Sequence, residues 1–133
     1  MYEFHGWITV RETYENRDTE DSVIKEIAKK IKNHIANINW PHGVLDIRPI
    51  NIEYYIWMVG ASNHQPTGQY DPVEFFKYIA NIAPGSYGLL YVVDHNKNDN
   101  KFKVYVLARG QLSEYDDPFL SPYIPTVESF PMD

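Results

Sequence analysis

The chain is 133 residues long with a formal net charge of −6, and its aromatic residues, 15% of the total, include eleven tyrosines. A chain of this length forms one domain by the usual size prior and buries roughly two-thirds of its unfolded surface, so it needs no covalent staple. Cysteine is absent, which excludes a disulfide scaffold, a thiolate metal site and a cysteine nucleophile.

The charge is concentrated at the two ends. Residues 1–21 hold Glu3, Glu12, Glu15, Asp18, Glu20 and Asp21 against Arg11 and Arg17; residues 111–133 hold Glu114, Asp116, Asp117, Glu128 and Asp133 against no cation; the segment between is net basic. Nucleic-acid affinity rests on Lys and Arg neutralising phosphates, so nucleic acid is not the expected ligand. The acidic ends either serve solubility alone or attract a basic protein and raise its encounter rate. No basic-then-apolar leader and no apolar run of about 18 residues is present, so the expected compartment is the cytoplasm, without membrane contact.

In chain order, Glu3 to Thr13 alternates as a strand, with Phe4, Ile8 and Val10 opposite His5, Trp7, Thr9 and Arg11. Gly6 marks a bulge or a close backbone approach, and Trp7 is expected to pack beneath a second layer. An acidic loop from Tyr14 leads to a helix capped by Asp21 or Ser22. Its Ile24, Ile27, Ile31, Ile35 and Ile38 recur at steps of three and four up to about Asn39, leaving Lys25, Lys29, Lys30 and Lys32 on a solvated face. Pro41 and Gly43 stop it. A strand from Val44 to Arg48 is expected to break at Pro49, which is placed at an edge, turn or bulge, and Ile52 to Ala61 is apolar on both faces, as in a central strand. Ser62 to Tyr70 has loop chemistry.

Asp71 then reads as an N-cap, with Pro72 in the first helical position and Glu74 completing a capping box. Val73, Phe76, Ile79, Ala80 and Ala83 form the buried stripe, widened by Phe75 and Ile82, until Pro84 and Gly85. Ser86 to Asp94 is apolar on both faces and is expected at the centre of a sheet covered on both sides. His95 to Lys101 connects it to a hairpin partner, Phe102 to Arg109, and Gly110 turns the chain into an acidic, proline-punctuated tail, 111–133, read as tail and not as further strand. The expected fold is α+β, a single domain over 1–133: an antiparallel-rich sheet of about five strands with two helices on one face, in the order β-α-β-β-α-β-β, plus a C-terminal tail packed on the sheet.

Catalytic and metal-binding patterns fail on spacing. His5, His34, His42, His64 and His95 include no i, i+4 pair and no H-E-x-x-H run. Asp94, Asn96 and Asn98 open like a calcium loop, but Asp99 replaces the required Gly and Tyr105 the required Glu. Gly60, Ser62 and His64 lack the second Gly of a nucleophile elbow, and Gly85, Ser86 and Gly88 precede a strand where a phosphate loop precedes a helix. No catalytic, metal or cofactor-binding residue is assigned, and an enzyme is not expected.

The opening Met1, Tyr2, Glu3, Phe4, His5, Gly6, Trp7, the run Ser86 to Tyr91, the run Leu107 to Gly110 and the stretch Asp117 to Thr126 together resemble the immunity protein 7 family of bacterial polymorphic toxin systems. The resemblance runs from end to end. It implies a small α+β protein that binds and neutralises a cognate toxin and so protects the producing cell; it supplies no contact residues. An acidic inhibitor fits a basic toxin, such as a nuclease. The candidate contacts are Glu114, Tyr115, Asp116, Asp117, Tyr123 and Glu128 near the tail, with Glu12, Glu15, Asp18 and Glu20 as a second patch, because aromatic anchors ringed by charge are the common anatomy of strong interfaces. Phe119, Leu120, Tyr123, Ile124 and Phe130 serve equally well as a strap holding the tail to the sheet. Two other readings stay open: a non-catalytic binding module for another protein, and a small hydrolase using His64 or His95.

Overall fold

In the computed structural model, which describes residues 1–97 and 101–120, the alternating N-terminal stretch forms the middle of the sheet. Strand β1 (Tyr2–Val10) pairs antiparallel with β3 (Glu53–Ser62) on one side and with β4 (Tyr87–Asp94) on the other. A hairpin adds β2 (Gly43–Ile50) outside β3, and a meander adds β5 (Phe102–Ala108) and β6 (Gln111–Asp116) outside β4. The result is a six-stranded sheet in the order β2-β3-β1-β4-β5-β6. Helices α1 (Asp21–Ile38) and α2 (Pro72–Ile82) interrupt the strands in sequence, with a short 3₁₀ turn at Gly68–Tyr70 before α2.

Both helices lie on one face. The period-2 alternation sends Phe4, Ile8, Ile56, Met58 and Leu90 to that side, where they are buried with Ile31 of α1 and Phe76 and Ile79 of α2 in one apolar cluster. The absence of a side chain at Gly6 makes room for α2: a Cβ there would stand 3.0 Å from the Phe76 ring and 3.1 Å from Leu90. Gly85 and Ser86 fasten β4 to the end of β1. The Gly85 N–H donates to the Arg11 carbonyl, the Arg11 N–H donates to Ser86 Oγ, and a Cβ on Gly85 would fall 2.2 Å from the Thr13 backbone. That clasp ends β1 at Val10, three residues before the expected boundary at Thr13.

The caps follow the sequence in part. Asp71 Oδ1 accepts the Val73 N–H at 2.9 Å with Pro72 in the first turn, as expected, while Glu74 ion-pairs with Lys77 at 3.3 Å. For α1 the cap position belongs to Glu20, with no side-chain bond, and Asp21 is already helical, where its charge suits the helix dipole. Asn39 closes α1 in the left-handed region.

Four expectations are corrected. The sheet has six strands where about five were expected, because Arg109 (φ 53°) and Gly110 (φ 73°) form a two-residue hairpin turn that sends residues 111–116 back along β5. Part of the acidic tail is therefore strand. Pro49 is at the sheet edge as expected but does not break β2; it sits within the strand, which an edge tolerates because its outer ladder is unpaired. The apolar character of β4 on both faces reflects only partial cover on the side away from the helices: Val93, with Phe102 beside it on β5, is buried there, while Leu89 and Tyr91 are half-buried and Tyr87 is 45% exposed. Trp7, expected beneath a second layer, is on that same side and 44% exposed.

Candidate functional site

The tail candidates separate by strand alternation. On β6, Glu114 and Asp116 point to the helix side of the sheet and Tyr115 to the opposite side, since Glu114 pairs with Tyr105, Asp116 with Lys103 and Tyr115 with Val104. Lys103 Nζ donates to Asp116 Oδ1, and that bond holds the Asp116 carboxyl below its ordinary range. Burial first, and then the neighbouring Glu114, push the Tyr105 phenol up. Asp117 is 3% exposed. Its N–H donates to the Phe102 carbonyl at 3.0 Å and its Oδ2 accepts the Leu120 N–H at 2.8 Å, so it braces the chain as it leaves the sheet. Tyr123 and Glu128 lie outside the described residues.

The second patch sits in the loop after β1. Arg17 bonds Glu12 at 3.1 Å and Glu15 at 3.2 Å, and the Thr19 hydroxyl donates to the other Glu12 oxygen at 3.1 Å. Asp18 and Glu20 are exposed. Glu12 and Asp18 border a cleft of about 340 Å³ that Ile52 also lines. Ile52 is 95% exposed and held at φ 68°, a conformation costly for a β-branched residue. The structure does not merge the two patches. The loop meets the C-terminal hairpin at its turn, where the Arg109 guanidinium lies 4.8 Å from the Tyr14 ring, whereas Asp116 is at the far end of β6.

The feature that sequence reasoning missed is the sheet face opposite the helices. Antiparallel register lines its side chains into rows across the strands. One row runs Asp46, Trp57, Trp7, Leu89, Val106, Ser113, and the next runs Val44, Val59, His5, Tyr91, Val104, Tyr115. Tyr55, Thr9 and Tyr87 form a third. Trp7 meets Tyr87 edge-on with ring centroids 6.2 Å apart, and the Arg48 guanidinium lies 5.3 Å from the Trp57 ring centre. At one end Glu3 is clamped between two imidazoles, His5 at 2.9 Å and His95 at 3.5 Å; the His5 bond is the main cause of its lowered carboxyl pKa. The signal was present in the sequence as odd-position aromatics at 7, 55, 57, 87, 91 and 115, but strand alternation alone does not say which face the helices take.

A cleft of about 550 Å³ on the helix side is lined by His34, Asp71, Glu74, Phe75 and Tyr78, with the His34 ring stacked on Tyr78 at 3.9 Å. Burial lowers the His34 pKa and raises those of Asp71 and Tyr78. The Ser62 hydroxyl donates to the backbone carbonyl of His64, so this pair is not arranged as a nucleophile and base. Among the described residues no three His, Asp or Glu side chains converge as a metal site, and no helix is long and apolar enough to cross a membrane.

These elements define a small α+β protein whose sheet is backed by helices on one face and presents aromatic rings on the other. The chain matches the family model described as Immunity protein 7 over residues 1–129 and belongs to that family, which makes it an immunity protein acting against a toxin. No curated protein and no solved structure matches it.

Proposed function

We propose that this chain neutralises its toxin by binding it directly in the cytoplasm, and that the toxin is a basic protein, a nuclease being the class whose own substrate demands such charge. The observation that supports this is the family match over residues 1–129 on a chain of net charge −6. An inhibitor must reach the toxin before the toxin reaches its target, and opposite net charges raise the encounter rate well above the neutral case. No catalysis by the chain itself is required. Glu114, Tyr115 and Asp116 are exposed at the sheet edge and supply one set of contacts, with Glu12, Glu15, Asp18 and Glu20 as the other; Asp117 acts from beneath by bracing the exit from β6.

Co-expression with the toxin domain encoded beside the gene tests the reading. Survival of cells carrying both, with co-purification of the two chains and loss of nuclease activity in the purified complex, is the expected result. A toxin that kills despite the folded chain sinks it.

A further inference from the structure

We infer that the toxin docks on the open face of the sheet, with the Trp7–Tyr87 pair and Trp57 as its anchors. The inference rests on the toxin reading above and names the surface that reading uses.

Three observations carry it. The first is composition: the large apolar residues Trp7, Val44, Ile50, Val59, Tyr87 and Tyr115 are exposed on this one face by strand register, around Thr9 at its middle and away from the end where Val93 and Phe102 are buried. Contiguous apolar surface of this kind marks interaction sites, and Trp, Tyr and Arg are the residues enriched where binding energy concentrates. The face has all three, with Arg48 over Trp57.

Size is the second. Six strands at ~4.8 Å spacing and three side-chain rows span ~600 Å² of flat sheet before side-chain relief, the same order as the ~800 Å² each partner contributes to a standard interface.

The third is charge. Among the described strand residues the face carries the carboxylates Glu3, Asp46 and Glu53 against the single cation Arg48, which bonds Asp46 at 3.0 Å. The lysines of α1 lie on the other side of the sheet, where Lys25, Lys29 and Lys32 flank Ile47 and Tyr54. A basic partner is therefore drawn to the open face and repelled from the α1 surface. A second copy of this chain, itself of net charge −6, gains no such attraction, so the toxin and not a homodimer is the occupant.

The test combines variants with a footprint. Trp7→Ala and Tyr87→Ala change exposed rings; each folded variant is expected to bind a catalytically inactive form of the neighbouring toxin domain at least tenfold more weakly and to lose protection in co-expression. On the unmodified chain, hydroxyl-radical oxidation of Trp7, Tyr87 and Tyr115 is expected to fall on adding the same toxin domain, a readout that does not depend on how the variants fold. Full protection and affinity in both variants, with failure only on charge reversal at Glu114 and Asp116, would overturn this surface while leaving the toxin function standing. So would rings already protected in the free chain: loss of that protection on dilution identifies a second copy, and its persistence identifies residues 121–133. A wild-type chain that gives no protection removes the toxin reading and this surface together.

Discussion

Trp7 and Tyr87, eighty residues apart in sequence, meet edge-on across β1 and β4 with their rings 6.2 Å apart on the side of the sheet away from the helices. Phe4, on the same strand β1, points the other way and is fully buried against the edge of Trp40. The two aromatic residues differ in role for that reason. Trp7→Ala loses a half-open ring pair and is expected to cost about 1–2 kcal/mol, whereas Phe4→Ala leaves a core cavity and costs about 3–5 kcal/mol. Urea unfolding of both variants measures the difference; equal losses would show that the Trp7 face is as well packed as the helix side.

The β2–β3 turn holds Asn51 at φ 50° and Ile52 at φ 68°. Asn accepts that conformation, but Ile carries a steric penalty of about 1–2 kcal/mol there. Ile52→Gly relieves it at the expense of a more flexible unfolded chain, for a net gain of about 0.5–1 kcal/mol. The melting temperature is expected to rise by about 2–4 °C, and Ile52→Ala, which keeps a Cβ, gives little of that rise.

Gly88 lies where β4 presses closest to β1: a Cβ would stand 2.0 Å from the Trp7 carbonyl oxygen. Backbone on both sides cannot yield as a side chain does, so Gly88→Ala is expected to destabilise by on the order of 3 kcal/mol, the upper part of the overpacking range. Denaturant titration checks it. An unchanged midpoint would mean that the two central strands are less tightly joined.

His34 gives the fold a pH dependence with a definite sign. Stacked on Tyr78 and partly buried, its imidazole has a pKa below the ordinary 6.5, so the unfolded chain takes up the proton first. Stability is expected to fall as pH drops through about 6.5 towards the lowered value and then to level off for this group. The Glu3 carboxyl, lowered chiefly by its bond to His5, contributes stability that is lost only below 4.5, in a separate window. Comparing urea midpoints of wild type and His34→Gln between pH 8 and pH 5 isolates the imidazole; parallel curves would contradict the assignment.

By itself the sequence determined the local elements: the isoleucine spacing of α1, the Asp71 and Pro72 start of α2, and the period-2 strands around Phe4, Ile56 and Leu90. Each is a matter of near-neighbour sterics, capping bonds and alternation, all written within a few residues. The end-to-end match to an immunity-protein family was legible too, through motifs such as the run Ser86 to Tyr91, whose Ser86 hydroxyl proves to accept the Arg11 N–H. What only the tertiary structure decided was which face of an evenly apolar β4 the helices would cover, and so that Trp7, Tyr87 and Tyr115 would stand open together. It also decided that Asp117 would be buried as a brace while its neighbour Asp116 paired with Lys103 at the surface. Alternation fixes two faces for every strand, but the choice between them is made by the whole set of strands and helices packing at once, and no short stretch of chain encodes it.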